Sequence, residues 1–323
     1  MSDKFLVTPS PHFLGHNSTR SIMLDVVIAL CPALIAAVVL FGYRSAVITA
    51  VCVVSAIISE WLSRKVMKKP QTIGDLSAVV TGMLLAFNLP LSIPYWIAAL
   101  GSVIAIVAVK QMFGGIGHNF ANPAIVARIV LLVSFPVRMT DYSAPIFSIG
   151  GLDARTSATL LTSATPLTAI KEGAGSMPST LEMLLGFKGG CIGEVCALAL
   201  ILGGVYLVAR KVITPVIPLT FIGTVFILSF VAGRDPVTSI LTGGLMLGAI
   251  FMATDYSTSP MSTAGKVIFA VGCGAITVVI RRFGSLPEGV SYSILLMNIL
   301  TPHIDRLTMN RPFGTEKKGR SKA

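Results

Sequence analysis

Apolar residues in this chain are grouped in long runs. They do not alternate as in a strand, and they do not form the one-sided stripe of a soluble helix. The runs approach the ~20 residues that an α-helix needs to cross the hydrocarbon of a bilayer. Ten can be marked, at 22–42, 45–62, 74–91, 94–112, 122–138, 194–212, 214–232, 238–255, 264–281 and 288–304. Proline and glycine stand at the joints (Pro90, Pro94, Pro215, Pro218, Gly284, Pro287), as punctuation between helices does. The third run contains Gly82 and the eighth contains Gly243 and Gly244, which makes both candidates for interrupted helices. The pattern predicts an all-α integral membrane protein of about ten transmembrane helices with one long polar segment, 139–193.

The two interrupted runs echo each other. Asp75-Leu-Ser-Ala-Val-Val-Thr-Gly-Met-Leu-Leu85 aligns with Asp235-Pro-Val-Thr-Ser-Ile-Leu-Thr-Gly-Gly-Leu245, which sets Thr81-Gly82 against Thr242-Gly243. The runs are five apart, and an odd offset means that the copies enter the membrane from opposite sides, as in an inverted repeat. Against this stands chance similarity between glycine-rich membrane helices. The expected organisation is an N-terminal segment 1–21, a first membrane repeat 22–138, an outward loop 139–193, a second repeat 194–304 and a basic tail 305–323.

Charge orients this arrangement. With the N-terminus inside, sixteen of the 25 lysines and arginines fall on the cytoplasmic face or in the two termini, eight fall outside and Arg128 lies within a run. The positive-inside rule then places both termini in the cytoplasm and segment 139–193 outside a bacterial inner membrane. The net charge of +11 is scattered in short clusters and forms no basic face, which argues against nucleic acid. Only 12% of residues are charged and the mean hydropathy is +0.82, outside the range of soluble domains, which carry about 25% charged residues. The first run, from Ile22, is too long for a signal-peptide core and reads as a retained span. Of the five cysteines, three lie inside apolar runs. Cys191 and Cys196 have a spacing that matches no strong metal signature, so packing is the expected role of all five.

Chemistry-bearing positions are few. Ionisable residues at membrane depth are costly and mark functional sites, unless they lie near helix ends where they reach water. Asp25, Glu60, Asp75, Lys110, Arg128, Glu194, Asp255 and Asp305 are in or beside runs, with Asp25 and Arg128 the deepest. Asp25, Asp75, Thr81, His118, Asn119, Arg128, Thr242 and Asp255 are therefore candidates for an ion or cofactor path. Gly114-Gly-Ile-Gly117 follows a membrane helix and not a strand, so it predicts a tight re-entry turn, not a dinucleotide loop. His118, Asn119 and Asn122 then offer polar groups near the membrane face. The outer segment holds Thr156-Ser-Ala-Thr159 and, further on, Ala164-Thr-Pro-Leu167. A threonine before proline can cap a helix, but a cap does not account for the repeated Ser-Ala-Thr.

Motifs along nearly the whole chain resemble the NqrB/RnfD family, and within it the RnfD subunits of the Rnf ion-translocating ferredoxin:NAD oxidoreductase complex. They are Ser10-Pro-His12, Lys110-Gln-Met-Phe-Gly-Gly-Ile-Gly-His-Asn119, Asn122-Pro-Ala124, Ser134-Phe-Pro-Val-Arg-Met-Thr140, Ala164-Thr-Pro-Leu167, Thr254-Asp255, Arg282-Phe-Gly284 and Pro287-Glu-Gly289. The resemblance implies a subunit that carries FMN, linked as a phosphodiester to a threonine hydroxyl by a flavin transferase. Carried over, that threonine is Thr165. The family's acidic residue six positions ahead is matched instead by Asp153 before Thr159, which makes Thr159 the fallback. It also implies a non-covalent riboflavin or second flavin. The implied partners are neighbouring membrane and peripheral subunits with flavin and iron–sulfur centres and, through them, ferredoxin and NAD. Electron flow would be coupled to movement of Na⁺ or H⁺. The chain shows no nicotinamide site, four-cysteine cluster or Walker motif of its own, so no activity is expected from it alone. Two rival readings are a secondary transporter or channel on an inverted repeat, and an NqrB-like quinone reductase subunit, which usually has a longer N-terminal segment.

Overall fold

The computed structural model describes residues 18–142, 179–194, 196–284 and 288–308. Thr159, Thr165, the motif around His12 and most of the basic tail lie outside the described residues. All regular structure among the described residues is helical. Three helices are long and apolar enough to cross a membrane on their own: α1 (Thr19–Phe41), α2 (Tyr43–Val66) and α12 (Thr263–Phe283).

Local chemistry sets the ends of these helices. Ser18 caps α1 by accepting from the Ser21 N–H, and Gly42, at φ 80°, turns the chain into α2 within one residue. Arg64 and Lys65 lie in the last turn of α2, where cations complement the helix dipole. Pro32 lies inside α1 without ending it. The next helix, α3 (Ser77–Phe87), is only eleven residues long. A 3₁₀ turn at Ile73–Asp75 and a left-handed Leu76 (φ 63°, ψ 5°) precede it, and a non-helical stretch, 88–94, follows it. The chain then enters α4 (Tyr95–Val103), which widens into a π-helix over Ile104–Gln111. Next comes α5 (Pro123–Ser134), whose start is fixed by Asn122 accepting from the Ala124 N–H and by Pro123 in the first turn. A helical turn, α6 (Pro136–Met139), closes this half.

The second half begins with α7 (Thr180–Leu185), held by a reciprocal Ser179/Glu182 capping box and ended by Gly186 at φ 104°. It continues through α8 (Ala197–Ala209), α9 (Val216–Val231) and α10 (Pro236–Leu241). A break at Thr242–Gly244 follows, with Gly243 and Gly244 both left-handed. The chain resumes as α11 (Leu245–Leu247), running directly into a π-helix over Gly248–Met252, then α12 and α13 (Val290–Thr308). One apolar core runs through both halves, with α1 packed on α8, α2 on α3, α9 on α12 and α5 on α13. The outward face is apolar too, with Ile35, Val39, Leu202, Leu219, Ile227 and Phe230 all exposed, as lipid-facing positions are.

The sequence pattern located most of these elements, with corrections. The sixth run begins at Ala197, so Glu194 belongs to a loop; the tenth continues to Thr308. Gly82 does not interrupt its helix. It lies mid-α3, where an added Cβ would stand 2.8 Å from Cα of Val53 and 2.9 Å from the carbonyl oxygen of Cys52. Its role is close approach of α3 to α2. The break before α3 falls at Leu76, whose backbone angles match those of Gly244, so the Thr81/Thr242 alignment is out of register with the breaks. The starting aspartates do behave alike. Asp75 accepts from the backbone and side chain of Ser77, and Asp235 from Val237, Thr238 and the Thr238 hydroxyl.

This packing predicts that Gly82→Ala lowers the apparent Tm of the detergent-purified protein by several degrees, since over-packing costs about 1–3 kcal/mol. Gly223→Ala, where a Cβ meets nothing within 4 Å, should leave it unchanged. Thermal unfolding followed by size-exclusion fluorescence compares the two.

Candidate functional site

The end of α3 and the end of the π-helix Gly248–Met252 touch. The Asn88 amide, just past the end of α3, donates to the Met252 sulfur at 3.4 Å and to the Leu84 carbonyl at 2.7 Å. Asn122, at the start of α5, donates to the Met252 carbonyl at 3.3 Å. On one side of this junction lies a cavity of about 800 Å³, counting the part open to solvent. One wall is apolar, with Ile22 and Val26 of α1, Val80 and Leu84 of α3, Leu207 and Phe251. The other is polar, with Ser77, Thr81, Lys110, Asn119, Asn122, Thr254, Asp255 and Ser257. The Oδ1 of Asn119 is buried with no hydrogen-bond partner among the described residues. Asp255 accepts from the Ser257 hydroxyl at 3.1 Å and the Thr258 hydroxyl at 3.3 Å, which fixes the turn after Met252.

A buried ion pair braces the polar wall. The Lys110 ammonium is 3.0 Å from both oxygens of Glu60 and 2.5 Å from the Ser77 hydroxyl. Gln111 and Thr72 also donate to Glu60, each at 2.9 Å. Glu60 is 0% exposed and Lys110 2%. Lys110 thus links the end of the π-helix to the first turn of α3, and the network fastens the break at 72–76.

A second polar cluster lies on the other side of the junction. Arg128 of α5 pairs with Glu288 and, at 3.5 Å, with Glu194; it also donates at 2.9 Å to Asn88 and to Ser291. The Tyr142 hydroxyl donates to Glu288 at 3.2 Å. Cys191, Glu194 and Glu288 bring ligand-type atoms within 4.8 Å of one another. That trio faces the guanidinium of Arg128, and the positive charge there disfavours a cation. The loop carrying Cys191 and Glu194 also donates backbone N–H groups of Ile192 to Leu89 and of Gly193 to Phe87, which satisfies the open end of α3.

Three of the sequence candidates, Thr81, Asn119 and Asp255, line the cavity together. The others do not join them. Asp75 accepts from the N–H and hydroxyl of Ser77 beside it, and Arg128 lies in the second cluster. Thr242 donates to the Thr238 carbonyl at the distant break, and Asp25 pairs with Tyr206 at 2.9 Å and Arg210 at 3.4 Å. His118 is exposed on the turn formed by Gly114, Gly115 and Gly117, all at positive φ, as the glycine spacing predicts. Sequence reasoning noted Glu60, Lys110 and Glu194 as charges near helix ends, but not their pairing. It missed Tyr142, Cys191 and Glu288 as cluster members, and Lys188 as a donor to the Leu241 carbonyl. Each of these lies in a loop or far along the chain from its partner, so no spacing signals the contact.

The buried pair gives a graded expectation. Lys110→Met leaves Glu60 uncompensated and should destabilise the protein by about 3–5 kcal/mol, while Glu60→Gln/Lys110→Met should recover much of that loss. Thermal unfolding of the three purified proteins measures both effects.

Comparison with known proteins adds kinship to this geometry. Residues 6–314 match the profile of the NQR2, RnfD, RnfE family. The chain is 49% identical over 315 residues to the D subunit of the Na(+)-translocating ferredoxin:NAD(+) oxidoreductase complex of Acetobacterium woodii, covering 96% of each chain. It is 42% identical over 329 residues to the D subunit of the proton-translocating ferredoxin:NAD(+) oxidoreductase complex of Clostridium ljungdahlii, covering 97% of each. It is 37% identical over 334 residues to the D subunit of the ion-translocating oxidoreductase complex of Stutzerimonas stutzeri, covering 94% of each. The chain belongs to the NQR2, RnfD, RnfE family.

Proposed function

We propose that this protein is the D-type membrane subunit of an ion-translocating ferredoxin:NAD⁺ oxidoreductase, passing electrons through flavin in concert with neighbouring subunits. The observation that carries this reading is kinship over 96–97% of both chains with subunits so named. Sodium appears in one relative's name and the proton in another's, so the reading is of an ion-translocating subunit with no ion specified. Ten membrane passages follow if each short helix completes a crossing with its adjoining non-helical stretch. The two halves then form an inverted repeat, with both termini on the cytoplasmic face and segment 139–193 outside. The matched angles at Leu76 and Gly244 support that symmetry, as do Lys110, late in the π-helix after α4, and Arg281, late in α12, which fasten the two breaks.

Two flavins enter the proposal. FMN is joined as a phosphodiester to the hydroxyl of Thr165, by the motif resemblance. A non-covalent flavin occupies the cavity between α1, α3 and α5. The lining has one apolar and one polar wall, as small-molecule sites do. That division fits a flat ring whose faces are apolar and whose edge carries hydrogen-bonding groups. Asn119, with its unpartnered buried oxygen, Asn122 and Asp255 would hold that edge. A bound flavin supplies one- and two-electron chemistry that no side chain here possesses. The protein's own part is positional. Ile22, Val26, Leu207 and Phe251 exclude water from one wall, and the Lys110–Glu60 pair holds the Ser77 hydroxyl at the opposite one.

The inverted-repeat transporter reading needs no cofactor, so flavin content separates the two. Thr165→Val keeps the branched shape and removes only the hydroxyl. It should abolish flavin fluorescence that survives denaturing electrophoresis, and Thr159→Val should retain it. Full fluorescence in the Thr165 variant would move the attachment to Thr159. Asn119→Leu should lower acid-released flavin at least about threefold, the effect of losing one buried hydrogen bond, with covalent flavin unchanged. Equal acid-released flavin in that variant would remove the cavity from the account.

A further inference from the structure

A second, smaller cleft of about 370 Å³, counting the part open to solvent, lies between the end of α9, α10 and the end of α12, and it shares no lining residue with the proposed flavin cavity. Three arginines line it, Arg234, Arg281 and Arg282, together with Ser229 and Ser239. None of the ion pairs among the described residues involves any of the three. Arg281 is 5% exposed and spends its terminal nitrogens on carbonyls: Ser239 at 2.6 Å, Thr242 at 3.0 Å and Gly243 at 3.1 Å. Its Nε is buried with no partner among the described residues. Arg234 and Arg282 each give one nitrogen to a backbone carbonyl, of Arg281 at 3.4 Å and of Ala232 at 2.8 Å, and the Arg282 guanidinium also lies 5.9 Å from the centre of the Phe283 ring; the other nitrogens of both make no hydrogen bond or ion pair among the described residues. Asp235, the acidic residue adjoining Arg234, faces the start of α10 through Val237 and Thr238.

We propose that the Arg234–Arg281–Arg282 cavity is a binding site for a phosphate-class anion. Three guanidinium groups with donors to spare match tetrahedral oxyanions better than any other common ligand. The helix ends at the rim also carry exposed Phe230, Val231 and Phe283, at 71%, 77% and 78% exposure. Long basic side chains at helix ends beside apolar outer faces reach toward the headgroup level of a bilayer. A phospholipid phosphate therefore fits the surroundings as well as the charge, with its chains along the apolar outer faces of α9 and α12. By the orientation proposed above, these arginines are among the few basic residues on the outer face, though the site itself does not depend on that orientation.

The test compares the detergent-purified protein with Arg234→Gln/Arg282→Gln, which leaves the carbonyl-capping Arg281 in place. Native mass spectrometry is run with phosphatidylglycerol and, as a phosphate-free control, diacylglycerol. Thermal unfolding is run with and without inorganic phosphate. Wild-type protein should retain phosphatidylglycerol and not diacylglycerol, with retention falling at least about tenfold in the double variant. If inorganic phosphate alone stabilises the wild type and not the variant, the site stands and its ligand is the free anion. Equal retention by both proteins, or no response to either phosphate source, overturns the proposal. Should the glutamine pair fail to fold, Arg234→Lys/Arg282→Lys decides. Reduced phosphatidylglycerol retention then supports the guanidinium forks, and unchanged retention overturns them.

Discussion

Two helices of this protein, α3 and α10, are too short to cross a bilayer by themselves, and the backbone groups at their ends need partners. Each one left unsatisfied in hydrocarbon costs several kcal/mol. The structure meets this demand with side chains from distant parts of the sequence. At the first break, Asp75 accepts from the N–H and hydroxyl of Ser77, and Lys110 holds Ser77 while its charge is balanced by Glu60. At the second, Arg281 and Lys188 donate to the carbonyls left open at the end of α10: Ser239, Leu241, Thr242 and Gly243. The far end of α3 is closed by backbone N–H groups of Ile192 and Gly193.

These repairs explain why the polar groups lie where they do. The cavity beside α3 lies between the start of that helix at Ser77 and the non-helical turns around Asn119 and Asp255. Ser77 and Lys110 of its polar wall also belong to the network that fastens the break. The Arg128 cluster on the other side of the junction ties the loop at 187–194 to the core, and that loop continues directly from the segment containing Thr165. A cofactor-bearing outer segment would therefore be anchored to the junction through Glu194, Ile192 and Gly193. The proposed flavin cavity and the first break share Ser77 and Lys110.

Much of the architecture was legible in the sequence because the bilayer imposes it. Run length and glycine–proline punctuation located the helices, since hydrocarbon admits little else. The glycines at 114, 115 and 117 announced a turn, and those at 243 and 244 a break. Gly82 misled, because the same residue type serves close packing of helices as well as interruption. Leu76 gave no warning at all: a left-handed leucine is held by its surroundings, by Asp75 on one side and Ser77–Lys110 on the other, and not by its own preference. Among candidate residues, Asn119 and Asp255 were visible through motif and depth. The contacts of Glu288 and Lys188 were not, since pairings across 160 and 53 residues leave no local trace.

The electron-carrying role requires this chain to be a flavoprotein. Peptide mass spectrometry of the wild-type protein, made in cells with an active flavin transferase, addresses this most directly. The expected result is a peptide containing residues 156–171 that is heavier by one FMN less one water, with fragmentation placing the mass on Thr165. An unmodified peptide from such cells would contradict the role and leave an inverted-repeat transporter as the better description.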